Sequence, residues 1–299
     1  VRMVQRDREL AGRIGSVLER IPGFESVPFR DILDEFSSVI ESQLDLRVEA
    51  RNCRRLAGDI RELPYVFVPK VMDGLSSETV LTMEFANDLT NTAATKLWSY
   101  EERHRVAVRS VHTLYTMTFV HGFLHGDMHP GNIFFRRDGT VVLLDFGIMA
   151  DLKGQDLKHF ADFFFGIVTN NGRDCARVVL ESALRLPGTE KCEEFTDAMA
   201  AMVSRYAHKK AREFEVTKFA VELFDLQRKH GVRGSTRFMT TILAFVVFEG
   251  IAKQIDPELD FQTEARQFIP YVLRRLAPVR EEEPAIVYST QVSQPAASR

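Results

Sequence analysis

Three side chains in one short stretch could do chemistry on a phosphate. The run is His125-Gly-Asp127-Met-His129-Pro-Gly-Asn132, followed by Leu143-Leu-Asp145-Phe146-Gly147. Asp127 and Asn132 lie five apart, on a loop punctuated by Pro130 and Gly131, and Asp145 lies thirteen further on. Between them runs Ile133-Phe-Phe-Arg-Arg-Asp138-Gly139-Thr-Val-Val-Leu-Leu, which predicts two short apolar strands joined by an Asp-Gly turn. A hairpin would fold Asn132 and Asp145 back to the same end, beside Asp127. Phosphoryl transfer needs that set: one carboxylate to orient the nucleophile, a carboxamide and a second carboxylate to hold a metal on the phosphates. The donors are hard oxygens, which points to magnesium.

An isolated Asp-Phe-Gly carries little weight. The order, the spacing and the hairpin together match the protein-kinase motif set. The bland alternative makes Asp127 a turn residue, Asn132 a cap and Asp145 a turn starter. The joint pattern outweighs it. His125 and His129 read as packed, hydrogen-bonded scaffold rather than as acid or base. Neither has a zinc-type spacing to the cysteines.

The composition agrees. A chain of 299 residues, 45% hydrophobic, has material for two lobes with a sizeable core. A net charge of -3 gives no global field for a nucleic acid or an anionic membrane, so no nucleic-acid partner is expected. The three cysteines, Cys53, Cys175 and Cys192, are widely spaced, which suits a reducing compartment and argues against a disulfide frame or zinc site. The beginning shows no signal-peptide pattern. The apolar run Phe238 to Phe248 is too short to span a bilayer and reads as a buried helix. These features lead to a cytoplasmic chain whose membrane attachment, if any, is peripheral.

Periodicity supplies the frame that must position these groups. Val1 to Val4 reads as the end of a strand, and residues 7 to 20 as a charged helix. A long helix is expected from Phe29 to about Leu56, with Phe36, Ile40, Leu44 and Val48 as its apolar stripe. Tyr65 to Pro69 and Thr79 to Phe85 read as strands, separated by an Asp73-Gly74 turn signal. A linker falls near 86 to 90. Helices are expected over 101 to 120, 155 to 170, 173 to 185, 192 to 230 and 235 to 254. The resulting division is 1–86 for a partial small lobe, 87–278 for a helical lobe carrying the catalytic loop, and 279–299 for a disordered tail.

At this point the residues resemble one family closely, the UbiB/AarF atypical kinases. The likeness is carried by Gln43-Leu-Asp45-Leu-Arg-Val-Glu49-Ala50-Arg-Asn52, Val68-Pro69-Lys-Val71, Leu81-Thr-Met-Glu84-Phe85, the run from His125 to Asn132, Leu144-Asp145-Phe146-Gly147, and Phe248-Glu249-Gly250 through Asp256-Pro257. It extends to about residue 275. The resemblance implies an α+β, protein-kinase-like two-lobed fold, with a truncated strand-plus-helix N-lobe and a large helical C-lobe. It implies ATP and Mg2+ as cofactors, Asp127 and Asn132 as catalytic residues, and Asn132 and Asp145 as metal ligands. It places Glu49, Asp45, Glu84 and Asp145 toward the nucleotide. It further implies kinase or ATPase activity in isoprenoid-quinone or lipid metabolism, with a peripheral membrane or quinone-biosynthesis complex as partner.

Three departures qualify the likeness. The family's Lys-x-Gly-Gln segment and alanine-rich phosphate loop have no counterpart here, so the chain reads as lacking an N-terminal part. Aligning Met3-Val-Gln-Arg6 with the family's Lys-Val-Gln-Arg puts Met3 where the phosphate-binding lysine belongs, and Arg2, one residue away, faces the other side of a strand. Gln43 replaces a glutamate. Glu49 matches the helix glutamate that pairs with that lysine. Asp45, four residues earlier, shares its helix face. Three functions fit: a UbiB-type kinase or ATPase, a small-molecule phosphotransferase of the aminoglycoside or choline kinase type, and a pseudokinase that binds nucleotide or lipid without turnover. The acceptor of the phosphoryl group is left open.

Overall fold

The computed structural model describes residues 45–207, 215–260, 263–264, 266–270 and 273. The expectations for Val1 to Val4, for residues 7 to 20, for the first part of the long helix, for Arg2, Met3 and Gln43, and for the tail lie outside them.

The first described element is helix α1, Leu46–Asp59. Asp45 caps it, its side chain accepting the Arg47 N–H at 3.0 Å. One face of α1 buries Ala50, Cys53 and Leu56, the spacing of an amphipathic helix. Strand β1, Val66–Phe67, follows. It pairs in parallel with β4, Val141–Leu143, which pairs antiparallel with β3, Ile133–Phe135.

The predicted strand over Thr79 to Phe85 shrinks to one bridge, Val71 opposite Met83, flanked by Met72 N–H to Thr82 C=O and Glu84 N–H to Lys70 C=O. Its hydroxyls compete for the backbone. Ser76 Oγ accepts the Thr82 N–H at 3.0 Å and donates to Met72 C=O at 2.8 Å, while Thr82 Oγ1 donates to Leu75 C=O at 2.7 Å. Asp73–Leu75 forms a single 3-10 turn there.

Past the linker, Thr90 exchanges two backbone hydrogen bonds with Phe135 and extends the sheet edge. Helix α2, Tyr100–Tyr115, opens on a capping box in which Ser99 and Glu102 satisfy each other's backbone N–H. The expected helix over 101 to 120 continues past Tyr115, but as a wider π turn, Thr116–His121. It stops at Gly122, whose φ of 64° no side chain favours; a Cβ there would lie 2.4 Å from Leu152 O. Strand β2, Phe123–His125, then pairs antiparallel with β5, Met149–Asp151.

The rest is helical: α3 Gln155–Val168, α4 Gly172–Glu181, α5 Thr189–Ala207, α6 Val216–His230 and α7 Thr236–Ile255. The single helix expected over 192 to 230 is two helices, with 208–214 outside the described residues. The first N–H groups of α6 show that it is a new helix: Val216 and Thr217 both donate to the Glu249 carboxylate at 3.0 Å.

α2 and α7 pack together across the core, and α6 packs on α7. Stacked and tilted rings fill the space between α2, α3 and α7, including Tyr115, Phe119, Phe160, Phe164 and Phe245. Burying each such ring stabilises by about 2–3 kcal/mol. Arg237–Ile255 is the one helix among the described residues long and apolar enough to cross a membrane, and 56% of it is buried inside this core.

Candidate active site

The hairpin does what its sequence predicts. Ile133 stands opposite Leu143, and the Leu144 N–H donates to the Asn132 C=O at 2.8 Å. Asn132 and the residue before Asp145 are therefore hydrogen-bonded neighbours. The connection is a turn closed by Gly139 N–H to Arg136 C=O, with Gly139 at φ 93°. The Asp138 side chain accepts the Thr140 N–H at 2.8 Å. This is the longer, bulged loop of the hairpin repertoire rather than a two-residue turn.

The loop that carries Asp127 is fixed from two sides. Asn132 is 5% exposed, and its Nδ2 donates to Asp127 C=O at 2.9 Å. That use of the amide nitrogen leaves the amide oxygen without a donor among the described residues. His125, fully buried, accepts the Asp127 N–H on Nδ1 at 3.2 Å, and its Nε2 lies 3.2 Å from Leu144 C=O. Nδ1 accepts, so the proton belongs on Nε2, directed at a carbonyl. Burial pushes the pKa of His125 down, which matches this neutral, bridging role. His125 thus ties the Asp127 loop to the strand end before Asp145. His129 accepts the Gly131 N–H at 2.9 Å and shapes the turn beside it.

Asp145 holds a left-handed backbone, φ 59°, that aspartate tolerates better than most residues. Its Oδ1 accepts the Gly147 N–H at 3.1 Å. The other oxygen has no partner among the described residues. Asp127 is exposed, and its carboxylate lies 3.9 Å from the His129 Nε2. The described residues hold no cluster of three His, Cys, Asp or Glu. What they offer is one carboxylate and one carboxamide oxygen beside an open carboxylate. That set fits magnesium carried on phosphates, which takes one or two protein oxygens and leaves its remaining positions to water and substrate.

Glu49 reaches the same place from α1. Its Oε1 accepts the Phe146 N–H at 3.2 Å. Burial pushes its carboxyl above the ordinary range, and the nearby Asp145 carboxylate pushes in the same direction. No lysine or arginine among the described residues pairs with it.

Asp127, Asn132, Asp145 and Glu49 therefore gather at one locus. Two other expected residues make contacts outside this set. The Asp45 carboxylate is turned onto Arg47, with contacts of 2.8 and 3.0 Å, and this pairing holds it below the usual carboxylate range. Glu84 is exposed, and its carboxylate accepts the Lys70 N–H at 3.3 Å.

Two further contacts, from α1 to the segment after Asp145, were given no role in the sequence reading. Asn52 Nδ2 donates to Phe146 C=O at 2.8 Å. Arg55 forks onto Asp151 at 2.8 and 2.9 Å and lies 3.7 Å over the Phe123 ring. Asn52, three residues after Glu49 on α1, shares its helix face, and that spacing was the available hint.

The family model described as ABC1 atypical kinase-like domain matches residues 2–179, more than half of the chain. The chain belongs to this ABC1 family of atypical kinase-like proteins. A second model, the UbiB helical domain, matches 199–260, which covers most of α5 to α7. Relatives named probable protein kinase UbiB occur in Cronobacter sakazakii, 25% identical over 89% of this chain and 50% of the relative, and in Xanthomonas campestris, 25% identical over 93% and 52%. The chain thus spans about half the length of the curated relatives it matches. Among solved structures, Rv3197 of Mycobacterium tuberculosis, determined as a complex with erythromycin, aligns over 92% of this chain and 69% of its own, with a TM-score of 0.59 and 19% identity. That likeness establishes the shared kinase-like fold.

Proposed function

We propose that this ABC1-family chain binds ATP with magnesium and moves the terminal phosphoryl group to water or to a hydroxyl acceptor. The observation that carries the reading is the bond from Asn132 Nδ2 to Asp127 C=O, because it spends the amide nitrogen on the loop and leaves the amide oxygen without a donor among the described residues. In this reading Asn132 and Asp145 would hold the metal. When bound, magnesium neutralises charge on the phosphates. Asp127, open and unpaired except for distant His129, would orient the attacking oxygen and accept its proton late. His125 keeps the loop and the Asp145 strand in register, and Glu49 holds the Phe146 backbone. Asp45 and Glu84, expected from the resemblance to face the nucleotide, would act from the edge of the site.

The resemblance to UbiB proteins supports a place in isoprenoid-quinone or lipid metabolism, with attachment to a membrane or a biosynthetic complex through the periphery. One observation favours a second reading. Glu49 has no cationic partner among the described residues, and Met3 aligns with the position of the family's lysine. A pseudokinase that binds nucleotide without turnover would look the same here.

The test is thermal stabilisation by ATP with and without magnesium, followed by phosphate release. Magnesium-dependent stabilisation with turnover supports the first reading, and stabilisation without turnover supports the second. No stabilisation under either condition removes both.

A further inference from the structure

Asn52 enters the sequence argument only as one letter of a motif. In the fold it completes a two-point grip. Glu49 and Asn52, three apart on α1, stand on one helix face. Glu49 accepts the N–H of Phe146 at 3.2 Å, and Asn52 donates to its C=O at 2.8 Å. One residue of the chain thus has both backbone polar groups held by side chains, much as a neighbouring strand would hold them.

The grip has a geometric consequence. The Phe146 N–H belongs to the peptide plane that joins Asp145 to Phe146, and the Phe146 C=O to the next plane. Rotation about ψ of Asp145 turns the first plane. Fixing that plane restrains ψ of Asp145, whose φ of 59° is left-handed. A non-glycine residue persists there only when its surroundings hold it. Its own side chain supplies one bond, to the Gly147 N–H at 3.1 Å. A turn further along α1, Arg55 grips Asp151, so the helix meets this segment at two separate places.

The two gripping residues are not interchangeable. Glu49 supplies the acceptor. The second partner must be a donor, because a carbonyl accepts, and an uncharged one leaves the nearby carboxylates of Glu49 and Asp145 unclaimed by an ion pair. Asparagine meets both conditions.

We propose that Asn52 is a positioning residue, which with Glu49 sets the backbone of Asp145 and so aims its carboxylate at the metal of a magnesium-nucleotide. This rests on the function proposed above.

The experiment uses the full chain and the Asn52→Ala and Asn52→Asp variants. Hydrogen exchange is followed at the Phe146 and Gly147 amides without nucleotide, and magnesium affinity is titrated at saturating ATP. In Asn52→Ala both amides should exchange faster and the magnesium affinity should fall by roughly two- to tenfold, the effect of one lost hydrogen bond. Asn52→Asp should be at least as weak near neutral pH, where an ionised carboxylate has no proton to donate. It should recover toward wild type, at matched pH, as the pH falls and its carboxyl gains one. A side chain that merely stabilised the helix would show no such recovery. If Asn52→Ala does not fold, Asn52→Asp carries the same test.

Unchanged exchange at Phe146 and Gly147 would overturn the proposal. So would faster exchange with unaltered magnesium affinity. A wild-type chain that binds no magnesium-ATP would overturn the function and this inference together, and the wild-type control separates that result from the first two.

Discussion

The Asn132 side-chain amide and the Asp127 main-chain carbonyl, five residues apart in sequence, are joined by a 2.9 Å hydrogen bond. The bond makes the loop one rigid unit and divides its labour. Asn132 spends its nitrogen on the loop and leaves its oxygen without a donor among the described residues. Asp127 spends its main chain and keeps its carboxylate.

Asp127→Asn should therefore lower turnover with little change in nucleotide affinity. The substitution keeps the main-chain carbonyl that Asn132 needs and removes the group that accepts a proton. Loss of general-base function of this kind costs about 10²–10⁴ in rate. Phosphate-release kinetics and ATP titration check it together. A large loss of affinity with the rate preserved would give Asp127 the binding role instead.

Asp145→Asn should act in the opposite way. Asparagine tolerates the left-handed backbone and still offers an oxygen to the Gly147 N–H, so the fold should persist. The charge proposed to attract magnesium is gone. Stabilisation by magnesium-ATP should largely disappear, while the melting temperature of the free protein moves little. Full stabilisation in the variant would rule out a metal role for Asp145.

Glu249 gives a prediction about stability. It is 2% exposed and takes bonds from Val216 N–H, Thr217 N–H and Thr217 Oγ1, with Lys253 Nζ at 3.0 Å. It caps α6 from α7. Glu249→Ala strands those donors and should cost roughly 3 kcal/mol or more. Glu249→Gln keeps an oxygen and should cost less. Urea denaturation of the two variants checks the order. Equal, small losses would mean that the α6 N-terminus is satisfied by other means.

The parts legible in the sequence were those written locally. The hairpin around Asp138 and Gly139 follows from two apolar runs and one turn signal, and it explains why Asn132 lies beside Leu144, the residue before Asp145. The helices that flank it followed from their apolar period. What failed to read was decided by groups far along the chain. The break before α6 is set by Glu249, more than thirty residues downstream. The strand expected from Thr79 to Phe85 lost its ladder to the hydroxyls of Ser76 and Thr82. Asp45 shares a helix face with Glu49 by spacing, yet Arg47 claims its carboxylate. Asn52 stood only inside the family motif, and neither it nor Arg55 could be given a partner, because Phe146 and Asp151 lie more than ninety residues away.

The last prediction concerns the charge on Glu49. Burial, reinforced by the Asp145 carboxylate, raises its pKa in the folded protein, against a smaller opposing pull from the Phe146 N–H. A carboxyl with a raised folded pKa favours the folded state when protonated. Its contribution is complete below the unfolded pKa and is lost as the pH rises through the folded one. At neutral pH the ionised Glu49 is thus a burden on the free protein. Glu49→Gln keeps the acceptor for the Phe146 N–H and removes the charge. Its melting temperature should exceed that of wild type near pH 7, and the gap should close as the pH falls into the acid range. Differential scanning fluorimetry across pH 4 to 8, without nucleotide, reads this directly. A variant less stable than wild type at pH 7 would show that a cation pairs with Glu49 in the whole protein. That outcome would favour turnover over mere binding, because a paired glutamate is what holds a lysine on the phosphates of a kinase.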